Sequence, residues 1–557
     1  MNRRINFGLF PIAVSCVAFV CMCTADRLSG PGTGSETTNG IVATIRYQNG
    51  APASFSTVKI RPAAFLQDTA SSGTLRSTAV IDTLTDSLGR FSIPDFQGQG
   101  EYTAEIIDTA KSQGALLKIK PGSDSLGDFG VVFLNPLSAI SGTIDRSGIP
   151  NSAAVYVQVF GLDKVKRIDS TTGNFIVDKL AMGSYNLHIF SSLASFIPQT
   201  IENIAVVSAA PVTIDTIRLV SVATWQNAKS VYLNTTPSGA DVTTDIYRFP
   251  VLCRLTIDNF DFLTARTHGE DVRFVKSDNT PLPYQIERWD AAAGVAEIWV
   301  SVDTVYGNNA TQHFTMLWGN SDAADASNGG AVFDTGMGFQ GVWHMSDTDG
   351  VSCHDATNNH YDGVLYAMSK ASSASGAIGG AQTFDGATNY IVMSNTADSK
   401  LNFPQGGRYS LSAWVYDEAL DNGYHCIVSK SNQQYGLQVN NQNTWQFFEF
   451  ENKQGWASTE APASSLAWKY VVGVRSGTRQ YIYIDGVLAD SSITLAADVS
   501  DRYTSDNVCV GKRPSETNRW FNGMIDEVRI CSWTHGPGWI KLCYMNQKST
   551  DALVSYK

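Results

Sequence analysis

The chain has 557 residues, of which 43% are hydrophobic and 11% are aromatic, and it contains 47 glycines. This length exceeds what one hydrophobic core serves, so several domains are expected, and the composition indicates a folded all-β protein rather than a disordered one. The formal net charge of -12 argues against nucleic acid or an anionic membrane face as a partner, because no basic patch is available to neutralise phosphates. Neutral glycans and cationic ligands remain open.

The first 23 residues have the layout of an export signal. Arg3 and Arg4 precede an apolar run that reaches Met22, and an uncleaved membrane anchor of about 20 apolar residues is the alternative interpretation. The cysteines at the end of this run resemble the lipidation site of a bacterial lipoprotein, with Cys23 preferred and Cys16 as the alternative. The resemblance implies a secreted protein of the cell envelope, held in the outer membrane through its lipid anchor only.

Residues 24–39 are rich in Ser, Thr and Gly and predict a flexible spacer. Two related modules follow at 40–135 and 136–222, since Gly89 and Gly173 stand at corresponding turns. Short alternating strands between Gly, Asp and Asn turns predict two small β-sandwiches. Both modules resemble the transthyretin-like, carboxypeptidase-regulatory-like domains of bacterial surface proteins. That resemblance implies that they space and present a domain further along the chain.

Residues 223–330 resemble an uncharacterised β-rich domain that precedes laminin-G-like domains in bacterial exported proteins. The residues that carry the resemblance are Asp271, Arg273, Tyr284, Glu287, Trp289 and Trp299. We expect these residues to be mostly structural. In particular, an ion pair between Arg273 and Glu287 across two strands is preferred to a catalytic role.

The last region, 335–545, contains six β-type segments in a characteristic order. They are FDGATNYIVM (384–393), YSLSAWVY (409–416), WKYVVGV (468–474), YIYIDGVLAD (481–490), VCVGKR (508–513) and NGMIDEVRI (522–530). Together they resemble the concanavalin-A-like, laminin-G-like jelly-roll domain. The expected fold is therefore all-β and multidomain, with two sandwiches, a β-rich intermediate domain and a C-terminal jelly roll.

The last of these segments carries an acid among apolar residues. With a two-residue period, Met524, Asp526, Val528 and Ile530 share one strand face, whereas Ile525, Glu527 and Arg529 share the other. A buried carboxylate needs a partner or a cation, and Ca²⁺ takes oxygen ligands. An Asp in the final strand of related folds often ligates structural calcium, so the resemblance implies this role for Asp526. A turn-capping Asp526 is the alternative.

Further acids that could complete such a calcium site lie in the Gly- and Asn-rich stretch HMSDTDGVSCHDATNNHYDG (344–363). We assign Asp347 and Asp355 to it. Turns favour Asp on their own account, so a purely structural role for either residue stays open.

Catalytic patterns are weak in this sequence. The jelly-roll glucanases that this region resembles take their acids from one strand as ExDxxE, and the nearest match is FFEFEN, in which Glu449 and Glu451 share a face but the remaining acids are missing. No GxSxG, HExxH or phosphate-binding glycine loop is present. We therefore expect no enzyme activity.

Sugar binding requires exposed aromatic faces and a few amides. The stretch 432–456 supplies both, and we predict Tyr435, Asn441, Trp445 and Trp456 as the ligand-binding residues. Ordinary hairpins with solvated Asn turns are the alternative for this stretch. Taken together, the sequence predicts a non-catalytic, cell-surface carbohydrate-binding lipoprotein with a structural calcium ion, whose partner is a polysaccharide or a glycosylated surface. A glycoside-active secreted enzyme and a protein-binding or structural module of the envelope are the alternatives.

Overall fold

The computed structural model describes residues 40–67, 80–94, 96, 101–119, 128–193, 195–396, 399–403, 407–431, 434–451, 455–493, 506–514 and 516–557. The side chains of residues 450, 451 and 456 are also outside the description. The predicted signal, the lipidation site Cys23 and the spacer lie outside the described residues. Within the described ranges, no helix combines the length and the apolar character that a membrane crossing requires.

The chain separates into two compact units, the first comprising Met1–Phe65 and Gly73–Pro136 and the second comprising Leu66–Ser72 and Leu137–Lys557. The strands of the first unit are β1 (Ile41–Arg46), β2 (Thr57–Pro62), β3 (Ile81–Leu84), β4 (Arg90–Ile93), β5 (Tyr102–Asp108), β6 (Gln113–Ile119), β7 (Asp128–Phe133) and β8 (Asn135–Pro136). They form two sheets with the orders β4-β1-β7 and β3-β2-β5-β6-β8. Ile41, Ala43 and Ile45 alternate inward along β1, as the predicted period requires.

From Leu137 onward, the second unit contains first the second small sandwich. Its strands are β9 (Ser138–Asp145), β10 (Val155–Val159), β11 (Val165–Arg167), β12 (Asn174–Leu180), β13 (Gly183–Ser191), β14 (Phe196–Ile197), β15 (Gln199–Val206), β16 (Val212–Thr213), β17 (Ile217–Arg218) and β18 (Val220–Ser221). The main sheets are β12-β9-β16 and β11-β10-β13-β15. The strands confirm the all-β prediction for both modules, whereas their resemblance to carboxypeptidase-regulatory-like domains stays a prediction.

The intermediate domain contains β19 (Asn227–Leu233), β20 (Ile246–Thr256), β21 (Arg273–Val275), β22 (Tyr284–Asp290), β23 (Val295–Val305) and β24 (His313–Trp318), followed by the short helix α1 (Gly329–Val332). Strands β20, β23 and β22 form one sheet in the order β20-β23-β22, and β21, β24 and β19 belong to another.

The C-terminal domain is a sandwich of two large sheets. Its elements are β25 (Phe339–Trp343), β26 (Ser352–Cys353), β27 (Gly363–Tyr366), β28 (Ser373–Ser375), β29 (Gly380–Asp385), β30 (Tyr390–Met393), β31 (Arg408–Asp417), β32 (His425–Lys430), β33 (Tyr435–Val439), β34 (Thr444–Glu451), β35 (Gly455–Pro462), β36 (Trp468–Ser476), β37 (Arg479–Ile484), β38 (Val487–Ile493), β39 (Val508–Val510), β40 (Asn522–Cys531), α2 (Pro537–Gln547) and β41 (Val554–Tyr556). Each of the six predicted β-type segments contains a strand.

The first of these sheets has the order β28-β29-β40-β31-β36-β37-β38, with β25 also on β40, and the second has the order β26-β27-β30-β39-β32-β33-β34-β35. Large apolar residues from both sheets, such as Trp343, Leu411, Leu437 and Val528, fill the space between them. This core accounts for the apolar alternation that the sequence shows in these strands.

The intermediate and C-terminal domains share a second core. Trp299 of β23 and Trp414 of β31 belong to one buried cluster, together with Ile540 of α2. The Asn546 side chain donates to the Leu252 carbonyl at 3.0 Å and accepts from its amide at 2.8 Å. The last strand, β41, pairs with β19 and so completes a sheet of the intermediate domain, in the order β21-β24-β19-β41. The chain therefore continues past the predicted boundary at residue 545 and links the two domains by backbone hydrogen bonds.

Candidate functional site

A β-bulge in β40 decides which side chains leave the C-terminal core. Trp414 of β31 opposes Asp526, whereas Ser412, two residues earlier, opposes Arg529, so β40 contains one extra residue at this point. Glu527 takes a φ of 51° there, which is a costly conformation for a residue with a side chain. The bulge lets Asp526, Glu527 and Arg529 all point away from the inner core.

The predicted face assignment for β40 is therefore wrong. Ile525, Val528 and Ile530 belong to the core between the two sheets, so Asp526 does not share a face with Val528 and Ile530. A strict two-residue period cannot represent a bulge, because the extra residue inverts the alternation after it. Burial of Asp526, in contrast, is confirmed, since its side chain is fully buried.

The three β40 side chains meet His344, which follows β25, and Glu287 of the intermediate domain. We call these five residues, Glu287, His344, Asp526, Glu527 and Arg529, the interdomain cluster. His344 Nδ1 contacts Glu527 Oε1 and lies 3.6 Å from Glu287 Oε2. Arg529 holds Glu527 Oε2 with Nε at 3.0 Å and Nη2 at 2.7 Å. All five side chains are buried or nearly so. Solvent therefore screens the interactions between their charges only weakly.

Aromatic rings of the intermediate domain enclose this cluster. The Trp299 indole N–H donates to Glu287 Oε2 at 2.7 Å, and the Arg529 guanidinium lies 4.5 Å from the centre of the same ring system. The predicted pair of Glu287 with Arg273 is not formed. The Arg273 guanidinium instead donates to the Tyr284 hydroxyl at 2.9 Å and to backbone carbonyls, because docking of the C-terminal domain gives Glu287 other partners.

Burial and neighbouring charge set the protonation of the cluster. Burial, with smaller contributions from the Glu527 and Glu287 charges, raises the pKa of Asp526 well above its ordinary value. Burial likewise raises the pKa of Glu287 to about 7. Burial acts against ionisation of Glu527 as well, but the His344 and Arg529 charges overcome it and lower the pKa of Glu527 to about 2. Glu527 is therefore the ionised acid of the cluster, and Asp526 is stabilised as the neutral acid.

The predicted calcium ligands do not come together. Asp355 is buried, but its two oxygens accept from the Val342 amide of β25 and from the Thr357 and Tyr361 amides of its own loop, at 2.9–3.0 Å. Asp347 bonds His354 Nδ1 at 2.6 Å. Among the described residues, the group of ionisable side chains whose ligand atoms all lie within 4.8 Å of one another is instead Glu287, His344 and Glu527. These acids therefore do not fit the assigned calcium site, and calcium itself stays a prediction.

Two of the four predicted sugar-binding residues are buried. Tyr435 and Trp445 lie in the core between the two sheets, because they occupy the inward positions of β33 and β34. Their rings cannot offer an open face, so the expectation of exposure is wrong for both. Asn441 is exposed in the turn between these strands, and the side chain of Trp456 lies outside the described residues.

Aromatic residues also lie on the outer face of this sheet, where Tyr366, Tyr390 and Trp520 form, with Lys512, what we call the aromatic patch. Tyr366 is exposed, and the other three residues are half-buried. The Tyr366 and Tyr390 rings, paired across β27 and β30, stack with centroids 4.7 Å apart and planes 8° apart. The Trp520 ring meets Tyr390 edge to face at 5.8 Å. Lys512 Nζ lies 4.6 Å from the Tyr390 centroid and 4.4 Å from that of Trp520. Tyr366 is 43% exposed, so the patch presents aromatic surface to solvent.

A row of polar side chains follows on the outer face of this sheet. Gln438 donates to Gln446 at 2.6 Å, and Gln446 donates to Glu460 at 2.6 Å. The row lies on neighbouring strands β33, β34 and β35. The outer face therefore combines aromatic rings with amide and carboxylate groups, the mixture that the sequence had placed at other residues.

The Glu449 carboxylate, the nearest sequence match to a glucanase acid, is not on this face. It lies fully buried between the sheets, where it pairs with Arg475 and accepts from Gln480 at 2.6 Å and from Tyr409. A substrate has no access to an acid in that position. The described cysteines, Cys253, Cys353, Cys426, Cys509, Cys531 and Cys543, are all buried and form no disulfide.

These observations define a multidomain all-β protein with a C-terminal two-sheet sandwich. Comparison with protein families identifies the regions: residues 385–540 match the concanavalin A-like lectin/glucanases superfamily, and residues 268–347 match a domain of unknown function, DUF2341. The C-terminal region is thus a concanavalin A-like domain, preceded by a DUF2341 domain, as the order of segments predicted. Among curated proteins, none matches the chain.

Solved structures with a similar fold include the binding domain of Paraclostridial Mosquitocidal Protein 1 (10% identity, TM-score 0.31, covering 37% of this chain and 52% of that chain). Domain 4 of AbnA, an extracellular arabinanase from Geobacillus stearothermophilus solved with arabinotriose, is 17% identical, with a TM-score of 0.28 and coverage of 37% and 97%. The botulinum neurotoxin serotype D binding domain is 12% identical, with a TM-score of 0.31 and coverage of 38% and 52%. The chain spans about half the length of the two toxin domains. Similarities at this level carry no argument about function.

Proposed function

We propose that the C-terminal domain binds carbohydrate without acting on it, and that the aromatic patch is its principal contact. The superfamily that matches residues 385–540 includes both lectins and glucanases, so the family leaves binding and hydrolysis open. The aromatic patch is the observation that favours binding.

The chemistry of the patch suits a neutral glycan. Apolar C–H faces of sugar rings pack against aromatic side chains, and hydroxyl groups need amides or charged groups beside them. Tyr366 and Trp520 supply aromatic surface, and Lys512 lies over the Tyr390 and Trp520 rings. Gln446 and Glu460 supply further hydrogen-bonding groups on the same face.

The arrangement of Glu449 supports the non-catalytic part of the proposal. A glycosidase holds two carboxyl groups about 5–10 Å apart in an open cleft. Glu449 has Arg475, Gln480 and Tyr409 as partners inside the core, so it cannot reach a sugar unless the domain opens. We further propose, from the N-terminal sequence, that the protein is exported and tethered through Cys23, so that this domain faces a polysaccharide or a glycosylated surface.

A glycan array probed with the full chain tests the proposal. We expect binding to at least one neutral glycan, no release of reducing sugar from it, and about tenfold weaker binding for Tyr366→Ala and for Trp520→Ala, which corresponds to ~1.4 kcal/mol for each lost ring. Tyr247→Ala is the matched control, because Tyr247 is 66% exposed on the intermediate domain, and it should leave affinity unchanged.

Two results would overturn the proposal. The first is a wild-type chain that binds no glycan on the array, and the second is binding that both patch variants leave intact. Release of reducing sugar by the wild-type chain would support the glycoside-active alternative instead.

A further inference from the structure

We propose that Glu287, His344 and Glu527 together bind one divalent transition-metal ion, with Zn²⁺ as the probe, and that this ion joins the intermediate domain to the C-terminal domain. Glu287 comes from β22 of the first domain, and the other two residues come from the second. This site is separate from the aromatic patch, and the inference does not depend on carbohydrate binding.

The donor atoms fit a small metal ion. One imidazole nitrogen and two carboxylate oxygens lie within 4.8 Å of one another, and His344 Nδ1 is 3.6 Å from Glu287 Oε2. Zinc takes His nitrogen and carboxylate oxygen at about 2.0–2.2 Å, so its ligand atoms lie roughly 3.4 Å apart in a tetrahedral site. Calcium prefers six to eight oxygen ligands, and a group containing imidazole does not meet that requirement.

Each of the three ligands is held from behind by a second residue. His344 Nε2 lies 3.2 Å from Gln285 Oε1, so Nε2 can donate to Gln285 while the bound ion replaces the proton between Nδ1 and Glu527 Oε1. Glu287 Oε2 accepts from Trp299, and Glu527 Oε2 accepts from Arg529. Metal sites commonly have this arrangement, in which an outer residue fixes the orientation of each ligand and its tautomer.

Buried atoms without partners point to an absent ligand. Within the described part of the chain, Glu287 Oε1, Asp526 Oδ1 and Arg529 Nη1 are buried and make no hydrogen bond. Buried polar atoms are nearly always paired, and an exception requires an explanation. The Glu287 side chain is buried and its carboxylate belongs to the group of ligands, so a cation bound there would complete the interactions of an acid that is otherwise only partly paired.

The charges of the interdomain cluster also balance around a divalent cation. Three carboxylates, one guanidinium and one divalent ion sum to zero when His344 is neutral. Burial makes a net charge costly, so a divalent cation suits this group of buried charges.

The backbone has a left-handed conformation at or next to each of the two ligands from the C-terminal domain. Glu527 has a φ of 51° at the bulge, and Met345, directly after His344, has a φ of 58°. Non-glycine residues with positive φ cost free energy and persist where the surroundings require them. At Glu527 this conformation belongs to the bulge that places the side chain in the buried group.

The test measures zinc in the full chain after dialysis against Zn²⁺ and then against metal-free buffer. We expect one zinc per wild-type chain and a rise in melting temperature that a chelator reverses. In Glu287→Gln and in His344→Asn, zinc affinity should fall by at least about a hundredfold, because loss of a direct ligand should exceed the 10–100-fold effect of an outer residue.

His425→Asn is the matched control. His425 is also buried between two carboxylates, but Asp417 bonds its Nδ1 at 2.8 Å and Asp421 bonds its Nε2 at 3.0 Å. The two acids therefore lie at opposite nitrogens and cannot share one ion with the ring. This variant should retain one zinc per chain.

A measurement on the wild-type chain keeps the test decisive if the variants fold poorly. X-ray absorption at the zinc edge should show nitrogen and oxygen ligands only, with a single imidazole and no sulfur. Sub-stoichiometric zinc in the wild-type chain, a sulfur ligand, or equal zinc affinity in wild type and Glu287→Gln would each overturn the proposal.

Discussion

Two buried acids, Glu449 and Glu287, sit in contrasting surroundings in the same part of the molecule. Both carboxylates are shielded from solvent. Glu449 lies between the two sheets of the C-terminal domain, where Arg475, Gln480 and Tyr409 provide partners for both of its oxygens. Glu287 lies between two domains and keeps one oxygen without a partner in the described chain.

The difference separates a structural acid from a candidate ligand. A buried charge that is fully paired contributes to a specific core and has no capacity left for a ligand. A buried acid with an unused oxygen, next to a histidine and a second acid, retains that capacity. Burial alone therefore does not identify a ligand site. Whether each carboxylate oxygen already has a partner is the feature that separates the two acids.

The largest effect on stability should come from removing the Glu449 carboxylate, whose two oxygens both have partners. Glu449→Ala removes the carboxylate partner of Arg475, a guanidinium that is itself fully buried. We expect the free energy of unfolding to fall by about 3–5 kcal/mol, as for other buried pairs that lose one member. Urea denaturation measures it, and exposed Glu418→Ala should change stability by no more than about 0.5 kcal/mol. If Glu449→Ala lowers the free energy of unfolding by less than about 1 kcal/mol, Glu449 is not a fully paired structural acid.

A smaller effect on stability should come from a side chain placed against Glu287, the acid with one unpaired oxygen. A Cβ on Gly379 would lie 2.5 Å from Glu287 Oε1, at a φ of +51°. Gly477 has a similar φ of +60° but nothing within 4 Å of its Cβ position. Both alanine substitutions therefore pay for the backbone conformation, and only Gly379→Ala should add a steric cost of about 1–3 kcal/mol.

Urea denaturation of the two glycine variants gives this difference directly, and the zinc affinity of Gly379→Ala should fall with it while that of Gly477→Ala stays at the wild-type value. Equal destabilisation by the two variants would mean that Glu287 moves aside freely, and the orientation of its carboxylate would then not be fixed by the fold.

Sequence alone predicted the strands of the C-terminal domain because their signal is local. Segments such as YSLSAWVY and VCVGKR alternate or run apolar over a few residues, and each contains a strand in the structure. Burial of Asp526 was predicted as well, but on the wrong face of β40, because its cover comes from the interdomain cluster and not from the core between the sheets. The DUF2341 and concanavalin A-like regions were likewise predicted from the order of their segments.

The parts that sequence missed depend on pairing between distant segments. The bulge at Glu527 exists only in the register of β40 against β31. Tyr366 and Tyr390 stack because β27 pairs with β30. Tyr435 and Trp445 face inward for a related reason, since the second sheet determines which side of β33 and β34 is covered. The sequence pattern within any one segment does not indicate these pairings.

Domain docking explains the remaining error at the site. Glu287 was expected to pair with Arg273, a residue close to it in the chain, but its partners are Trp299 and His344. Glu527 of β40, which follows Glu287 by more than 200 residues, also lies within 4.8 Å. Glu287, His344 and Glu527 were visible separately as residues capable of chemistry. Their combination required the packing of the C-terminal domain onto the intermediate domain.

The smallest effect concerns His425, a paired histidine that contrasts with His344. Burial opposes its charge, but the Asp417 and Asp421 carboxylates outweigh burial and raise the pKa of His425 above its ordinary value of 6.5. Because the folded pKa lies above the unfolded one, this histidine contributes stability that is fully present below about pH 6.5 and is lost as the pH rises through its folded pKa. The difference in unfolding free energy between wild type and His425→Asn, measured across this range, should therefore shrink with increasing pH. A difference that is constant with pH would mean that His425 packs as a neutral ring and that its two acids do not stabilise a charge.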